Sequence, residues 1–519
     1  MAVSWSIARA LDDVLATDPG REALVTRSAR LSYADLDAAA NRAARALVSC
    51  GVRPGDRVAA SLPNDVDVVV AFHGAMRAGA VWLGINRALA VPEKQFQLDD
   101  TEAAVFICEN AGGAGAGAGG GGAGAVGGMT LSLGEWQSLV AGASDDAVGI
   151  EVDPLAPAGI AYTSGTTGRP KGVVHSQRGL LVPATVLVES RGYDSTLRKA
   201  DCFPFTILNM TVLTTLLAAR AGGTTILMDR IDAEGVAEWI RDEAATLWNG
   251  PPALLHSLAS MDSVAASDLG SLREAWTGGA DCPATILDAY EAKFGHRVLS
   301  TYGLTEAPTV VSIDPIEAAA LDGKVGRVEG ASGRPLPHLA VTIRDEAGDE
   351  VAAGETGEVC VGPAAGDDRY RLMLEYWRRP EATAETLAGG VLHTGDVGFF
   401  DEAGYLHLRD RKKLVIIRGG ANVYPAEVER VLQEIDGVAA SAVISVPDER
   451  LGERVVALVE VSAEIGDGFD GEAARAWCAS QLAKYKVPER IVVIDSFPRN
   501  AMGKIVRTEL PALLATSGE

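Results

Sequence analysis

At 519 residues the chain exceeds what one hydrophobic core usually serves, so at least two domains are expected; 47% hydrophobic and 22% charged residues is the make-up of an ordinary soluble globular protein. A formal net charge of −24 argues against nucleic acid and against an anionic membrane surface as partners, since both would be repelled. No apolar run is long enough to span a bilayer, and Met1-Ala-Val-Ser-Trp5 lacks the basic start of a secretory signal, which points to the cytoplasm. Cys50, Cys108, Cys202, Cys282, Cys360 and Cys478 are dispersed, with no CxxC pair and no His/Cys cluster at ligand spacing along the chain, so reduced, mostly buried thiols are expected.

From Leu31 to Cys108 the pattern alternates amphipathic stretches, such as residues 33–49, with short β-rich runs at residues 57–62 and 104–108. Gly51-Val-Arg-Pro-Gly55 supplies the turn between a helix and a strand, and residues 66–79 read as a buried helix. Residues 111–128 are almost entirely Gly and Ala, with too little side chain to bury and much backbone entropy to lose, and read as a flexible surface loop.

Next comes Tyr162-Thr-Ser-Gly-Thr-Thr-Gly-Arg-Pro-Lys-Gly172. Gly165, Gly168 and Gly172 let the backbone approach a ligand closely, while Thr163, Ser164, Thr166 and Thr167 offer donors for phosphate oxygens and Lys171 adds a point charge. The run reads as a phosphate cradle. It is not a Walker A loop, because Pro170 precedes the lysine and Gly172 follows it, leaving no hydroxyl where that motif holds Mg²⁺.

Further α/β alternation runs through β-like segments at residues 224–228, 245–248 and 274–277, which implies mostly parallel sheets. Residues 325–409 are β-rich. Beyond Lys413 a fresh pattern begins, with a strand at 414–417, a turn at 418–421, a helix at 425–435 and strands near 439–446 and 455–461, the marks of a separate small α+β domain.

The cradle closely resembles the signature of adenylate-forming enzymes, the superfamily of acyl-CoA synthetases, peptide-synthetase adenylation domains and firefly-type luciferases. Further stretches resemble that superfamily's other motifs in the same order: Thr277-Gly-Gly-Ala280, Thr301-Tyr-Gly-Leu-Thr-Glu306, His393-Thr-Gly-Asp396 with Arg409-Asp-Arg-Lys-Lys413, and Pro498-Arg-Asn-Ala-Met-Gly-Lys504. The likeness spans most of the chain and is closest to the acyl-CoA synthetases. It implies an α/β protein: a large N-terminal domain, residues 1–412, of layered mostly parallel sheets with helices plus a β-rich subdomain, which binds ATP and the acid. A small mobile α+β C-terminal domain, residues 413–519, is implied to carry the catalytic lysine and to turn about a hinge at Lys413.

The resemblance also implies roles for single residues. ATP and AMP would be bound by Thr163, Ser164, Gly165, Thr166, Thr167, Gly168 and Lys171, with adenine between Tyr302 and the Gly278, Gly279, Ala280 run and Gly303 close by. Thr305 would bond the α-phosphate, and Asp396, assisted by Arg411, would accept both ribose hydroxyls. Glu306 would be the Mg²⁺ carboxylate, hard oxygen donors suiting that ion. Lys504 would bridge the substrate carboxylate and the α-phosphate. Because an anion attacks a polyanion, such catalysis is chiefly positioning and charge neutralisation. ATP, CoA and the acid are the implied small-molecule partners.

For the acid, fatty-acyl relatives often read Pro-x-x-His-x-Asn where this chain has Pro204-Phe-Thr-Ile-Leu-Asn209. Ile207 thus stands in place of a gating histidine, leaving a wider and drier tunnel, while Thr206 after Phe205 argues against an α-amino acid. By family position the pocket is lined by Ile207, Asn209, Trp248, Asn249, Gly250, Trp276, Thr277 and Gly303, and a pantetheine tunnel runs beside Gly419 and Gly420. The leading expectation is an ATP- and Mg²⁺-dependent acyl-CoA synthetase for a hydrophobic carboxylic acid, bulky or alicyclic acids included. Its rivals are an enzyme that passes its acyl-adenylate to a carrier protein or partner ligase, and a nucleotide-binding regulator without catalysis.

Overall fold

The computed structural model describes residues 5–110, 128–163, 170–279, 282–319, 327–411, 414–418, 421–448, 451–462, 468–500 and 503–516. Expectations on residues 111–127, on Ser164, Gly165, Thr166, Thr167 and Gly168, on Ala280, on Lys413, on Gly419 and Gly420, and on the Arg411 side chain lie outside what is described.

The chain folds as α/β, with a large N-terminal domain of parallel sheets and helices and a smaller C-terminal domain. Among the described residues, one sheet has nine strands, whose central members Glu22–Val25, Thr224–Leu227, Arg198–Asp201, Leu247–Asn249, Glu274–Gly278 and Val298–Tyr302 are parallel. A second sheet has seven strands. Its parallel members Met129–Ser132, Val105–Cys108, Arg57–Ser61, Val81–Gly84 and Pro157–Thr163 meet an antiparallel edge of Lys171–Ser176 and Glu375–Tyr376. Strands buried on both faces read as near-continuous apolar runs, and the fully buried Val105–Cys108 does so, while the equally buried Thr224–Leu227 opens on two threonines.

Helix Tyr33–Ser49 begins where Ser32 and Asp35 satisfy each other's backbone N–H groups, a reciprocal cap worth about 1 kcal/mol. It packs on helix Val66–Arg77, whose Gly74 permits contact so close that an added Cβ would come 2.5 Å from Ala43 Cβ. An antiparallel four-stranded sheet of Leu339–Arg344, Gly357–Pro363, Leu392–Phe400 and Leu406–Arg411 forms the expected β-rich region.

In the C-terminal domain, strands Ile416–Arg418, Ala421–Val423, Val438–Asp448, Gly452–Val461 and Arg490–Ile494 form one sheet, against which helix Pro425–Gln433 packs. Two amphipathic faces meet there, burying Val428, Val431 and Leu432 against Val443, Val455 and Ala457. The start of the first strand lies two residues later than the 414–417 pattern suggested. Among the described residues no helix is long and apolar enough to cross a membrane.

Candidate active site

The phosphate-cradle sequence is the connection of a β-hairpin. Thr163 and Lys171 are cross-strand partners at its neck, with Thr163 closing strand Pro157–Thr163 and Lys171 opening strand Lys171–Ser176. The same second strand carries His175, a fully buried ring whose Nε2 lies 2.7 Å from the Thr305 carbonyl oxygen. A carbonyl can only accept, so Nε2 carries the proton and donates. Burial pulls His175 down to about 4, keeping the imidazole neutral near pH 7. One hairpin therefore presents Lys171 and anchors the loop that carries Thr305 and Glu306.

Strand Glu375–Tyr376 pairs with that hairpin, and the Tyr376 ring lies 4.7 Å from Lys171 Nζ while its hydroxyl donates to Glu306 Oε1 at 2.7 Å. Lys171, Thr305 and Glu306 all line one large cavity, of volume about 2800 Å³, together with Thr163, Gly278, Gly279 and Gly303. A half-buried carboxylate facing that cavity, with one oxygen oriented by a phenol, is a hard donor of the kind Mg²⁺ takes.

Tyr302 and Asp396 are each 7% exposed, and the Tyr302 hydroxyl donates to Asp396 Oδ2 at 2.6 Å. That bond takes lone-pair capacity from one carboxylate oxygen of the residue expected to receive both ribose hydroxyls. Tyr302 is largely buried in a cluster with Leu304, Val311 and Tyr370, and neither it nor Asp396 is among the residues that line the cavity. Behind Asp396, Glu358 braces the His393-Thr-Gly-Asp turn: its Oε1 accepts from Gly395 N at 3.1 Å and its Oε2 lies 3.3 Å from His393 Nδ1, with Cys360 Sγ 3.6 Å from that nitrogen. Glu358, Cys360 and His393 are thus grouped by the sheet although their sequence spacing gave no sign of a cluster.

Lys504 comes from the C-terminal domain. Its loop closes on itself through Asn500, whose N–H donates to the Lys504 carbonyl at 2.8 Å and whose Oδ1 accepts from Lys504 N at 3.0 Å, with Gly503 in the left-handed region at φ 77°. The ammonium reaches Gly279: a Cβ added at that glycine would come 3.7 Å from Lys504 Nζ. Across the domain junction, Ala426 N donates to Asp410 Oδ2 at 2.8 Å, so a carboxylate of the N-terminal domain caps helix Pro425–Gln433.

Of the expected acyl-pocket residues, Ile207, Asn209, Asn249, Gly250, Trp276, Thr277 and Gly303 line the cavity. Trp248 does not. Successive side chains of strand Leu247–Asn249 point to opposite faces, and Trp248 is wholly buried in the core among Leu254, Leu255 and Leu258, its ring directly beneath Gly250. A Cβ on Gly250 would lie 2.2 Å from that ring, so Trp248 shapes the wall from behind.

The family model described as AMP-binding enzyme matches residues 11–377, and that described as AMP-binding enzyme C-terminal domain matches residues 427–504. The chain belongs to the AMP-binding enzyme family. Feruloyl-CoA synthase of Amycolatopsis sp is 37% identical over 518 residues, covering 98% of each protein. Long-chain-fatty-acid–CoA ligase FadD13 of Mycobacterium tuberculosis is 34% identical over 494 residues, covering 93% of this chain and 92% of that ligase. Among solved structures, ATP-bound MatB from Rhodopseudomonas palustris superposes with a TM-score of 0.88 at 30% identity, covering 98% and 99% of the two chains. This AMP-binding enzyme is accordingly an AMP-forming acid–thiol ligase of the acyl-CoA ligase kind.

Proposed function

We propose that this enzyme converts a hydrophobic carboxylic acid to its CoA thioester through an acyl-adenylate. The observation that carries the reading is the arrival of Lys504, from the C-terminal domain, beside Gly279 in the cavity that Lys171, Thr305, Glu306 and the acyl-pocket residues also line. A carboxylate has no adequate leaving group for thioester formation. In the first step one of its oxygens bonds the α-phosphorus of ATP as the bond to pyrophosphate breaks. Lys504 would hold the two anions together, while Lys171 and the residues 164–168 receive the departing phosphates; these cations act at close range against a net charge of −24. Mg²⁺, held at Glu306, would supply further neutralisation of phosphate charge when bound.

In the second step the CoA sulfur bonds the acyl carbon as the C–O bond to AMP breaks, the thiol proton leaving to solvent. That step needs a different face of the small domain, with the pantetheine tunnel beside Gly419 and Gly420 and the turn made at Lys413. On this reading the domains are residues 1–412 and 413–519.

Support for a hydrophobic, bulky or alicyclic acid comes from the walls. Phe203, Ile207, Met210 and Leu213 contribute apolar surface, and no histidine ring narrows the passage at Ile207. The relatives named above act on unlike acids, so the lining of this chain's own cavity is the better guide to its substrate. Hydroxylamine trapping with ATP across a panel of linear, aromatic and alicyclic acids tests adenylation. A hydroxamate with no acyl-CoA on adding CoA would move the acceptor to a carrier protein, and no hydroxamate from any acid would overturn the proposal.

A further inference from the structure

Lys199 is 0% exposed, on strand Arg198–Asp201 beneath the cavity wall, and the chemistry outlined above makes no use of it. Its Nζ donates to the Ala200 carbonyl at 2.8 Å, to Asp201 Oδ2 at 3.1 Å and to Asn249 Oδ1. Asp201, equally buried, accepts from Phe203 N on its other oxygen at 3.0 Å. An ammonium has no lone pair, so the oxygen of the Asn249 amide is the end that faces Lys199. The assignment survives a proton shift within the buried pair: if Asp201 donates to a neutral amine, the two remaining N–H bonds still fall to Ala200 O and Asn249 Oδ1.

With its oxygen fixed, the Asn249 amide presents its NH₂ on the opposite side. Asn249 is 8% exposed and lines the cavity, and its Nδ2 has no protein acceptor among the described residues. A chamber wall that presents an oriented amide donor costs free energy with a purely hydrocarbon occupant, because the donor is then desolvated without compensation. Asn249 is in register with Trp276, three residues before Gly279, so it lies about 10 Å along the strand from the position where Lys504 arrives.

We propose that the acid this enzyme takes carries a hydrogen-bond-accepting oxygen, a ketone or ether, on its hydrophobic skeleton about 10 Å from the carboxylate, and that this oxygen is received by the Asn249 amide, with Lys199 as the positioning residue that sets the amide's orientation. The inference rests on the adenylation reading and narrows its substrate class.

The test is ATP-dependent hydroxamate formation with matched pairs of acids that differ only at one ring position, such as 3-(4-oxocyclohexyl)propanoate against 3-cyclohexylpropanoate and their bicyclic homologues. In the unaltered enzyme kcat/KM is expected to favour the oxo member of the best pair at least about tenfold, as expected where a site hydrogen-bonds its substrate. Asn249→Asp is nearly isosteric and keeps an oxygen toward Lys199, but replaces the donor by an acceptor, and should reduce that ratio to about one or below. The double variant Lys199→Met/Asp201→Asn removes both buried ionisable groups together and should lower the ratio by freeing the amide to turn, with Asn249→Asp as the independent reading should that variant fold poorly. Equal use of both members by the unaltered enzyme, or an undiminished ratio in Asn249→Asp, would overturn the inference alone. Absence of hydroxamate from every acid would instead overturn the adenylation reading beneath it.

Discussion

The Tyr376 hydroxyl donates to Glu306 Oε1 at 2.7 Å, and the face of the same ring lies 4.7 Å from the Lys171 ammonium. One side chain therefore orients a carboxylate through its polar tip and an ammonium through its π face, two charges of opposite sign that a phosphate-binding site needs apart rather than paired with each other. Tyr376→Phe keeps the ring and removes only the hydrogen bond, a loss of about 1.5–3 kcal/mol for a bond to a charged group. The expected result is a rise of about tenfold to a hundredfold in the Mg²⁺ concentration for half-maximal hydroxamate formation, with an unchanged far-ultraviolet spectrum. An identical Mg²⁺ titration would show that Glu306 needs no such support.

Lys504→Ala is expected to abolish adenylation while sparing the reaction of preformed acyl-adenylate with CoA. On the proposed reading the ammonium beside Gly279 neutralises charge that develops in the first transition state only, so its removal falls on one half-reaction. Equal losses in both half-reactions, measured by pyrophosphate release and by thioester formation, would remove Lys504 from that role.

How far the sequence carried this picture depends on whether partners lie in one motif or in several. The order of layers, the β-rich insertion and the small C-terminal domain follow from local periodicity, and residues within a motif, such as Thr305 and Glu306, could be placed together at once. Tyr376 and Glu306 are 70 residues apart, and His175 and Thr305 are 130 apart; neither tyrosine nor histidine stands out in its own segment, so no pattern joined them. The aromatic and basic run Tyr376-Trp-Arg-Arg379 was the one available signal. Its Trp377 Nε1 donates to the Asp100 carbonyl at 2.9 Å, docking the segment that carries Tyr376. Trp248 shows the converse: adjacent residues of a strand face opposite ways, so the position next to Asn249 in the chain lies behind the cavity wall.

Asp410 caps the first helix of the C-terminal domain in the orientation that delivers Lys504. Proline at 413 would fix φ and restrict the rotation proposed to bring the thiol tunnel round in its place. Lys413→Pro is expected to slow thioester formation at least about tenfold more than adenylation. Two half-reactions at unaltered rates would place the turning point elsewhere.

Stability should fall on acidification through buried neutral histidines. Burial holds His175 near 4, His338 near 4 and His73 near 3, against an ordinary value of 6.5, so the unfolded chain takes up protons that the folded one refuses. The stability contributed is fully present above about pH 6.5 and is lost progressively as pH falls toward 4; for His175 alone the difference is about 3 kcal/mol. His175→Gln offers an amide N–H to Thr305 O without a titrating group. Urea unfolding between pH 7 and 4 should show a shallower slope for that variant, and an unchanged slope would mean His175 is protonated in the native state or solvated.

Ile207→His is expected to shift preference toward smaller or straight-chain acids. Ile207 lines the cavity immediately before the short helix Leu208–Thr211, and a ring there would narrow the passage beside Asn209, whose Oδ1 is buried without a partner. The new imidazole would also add a polar group that a bulky apolar acid would have to desolvate. A change of this kind alters selectivity by ~1–3 kcal/mol, enough to reorder a panel without abolishing turnover. The measurement is kcat/KM for compact linear acids against rigid alicyclic ones in both proteins. An unchanged ranking would mean that the acid does not pass Ile207, and the preference for bulky substrates would then have to arise deeper in the chamber, at the Asn249 and Trp276 wall.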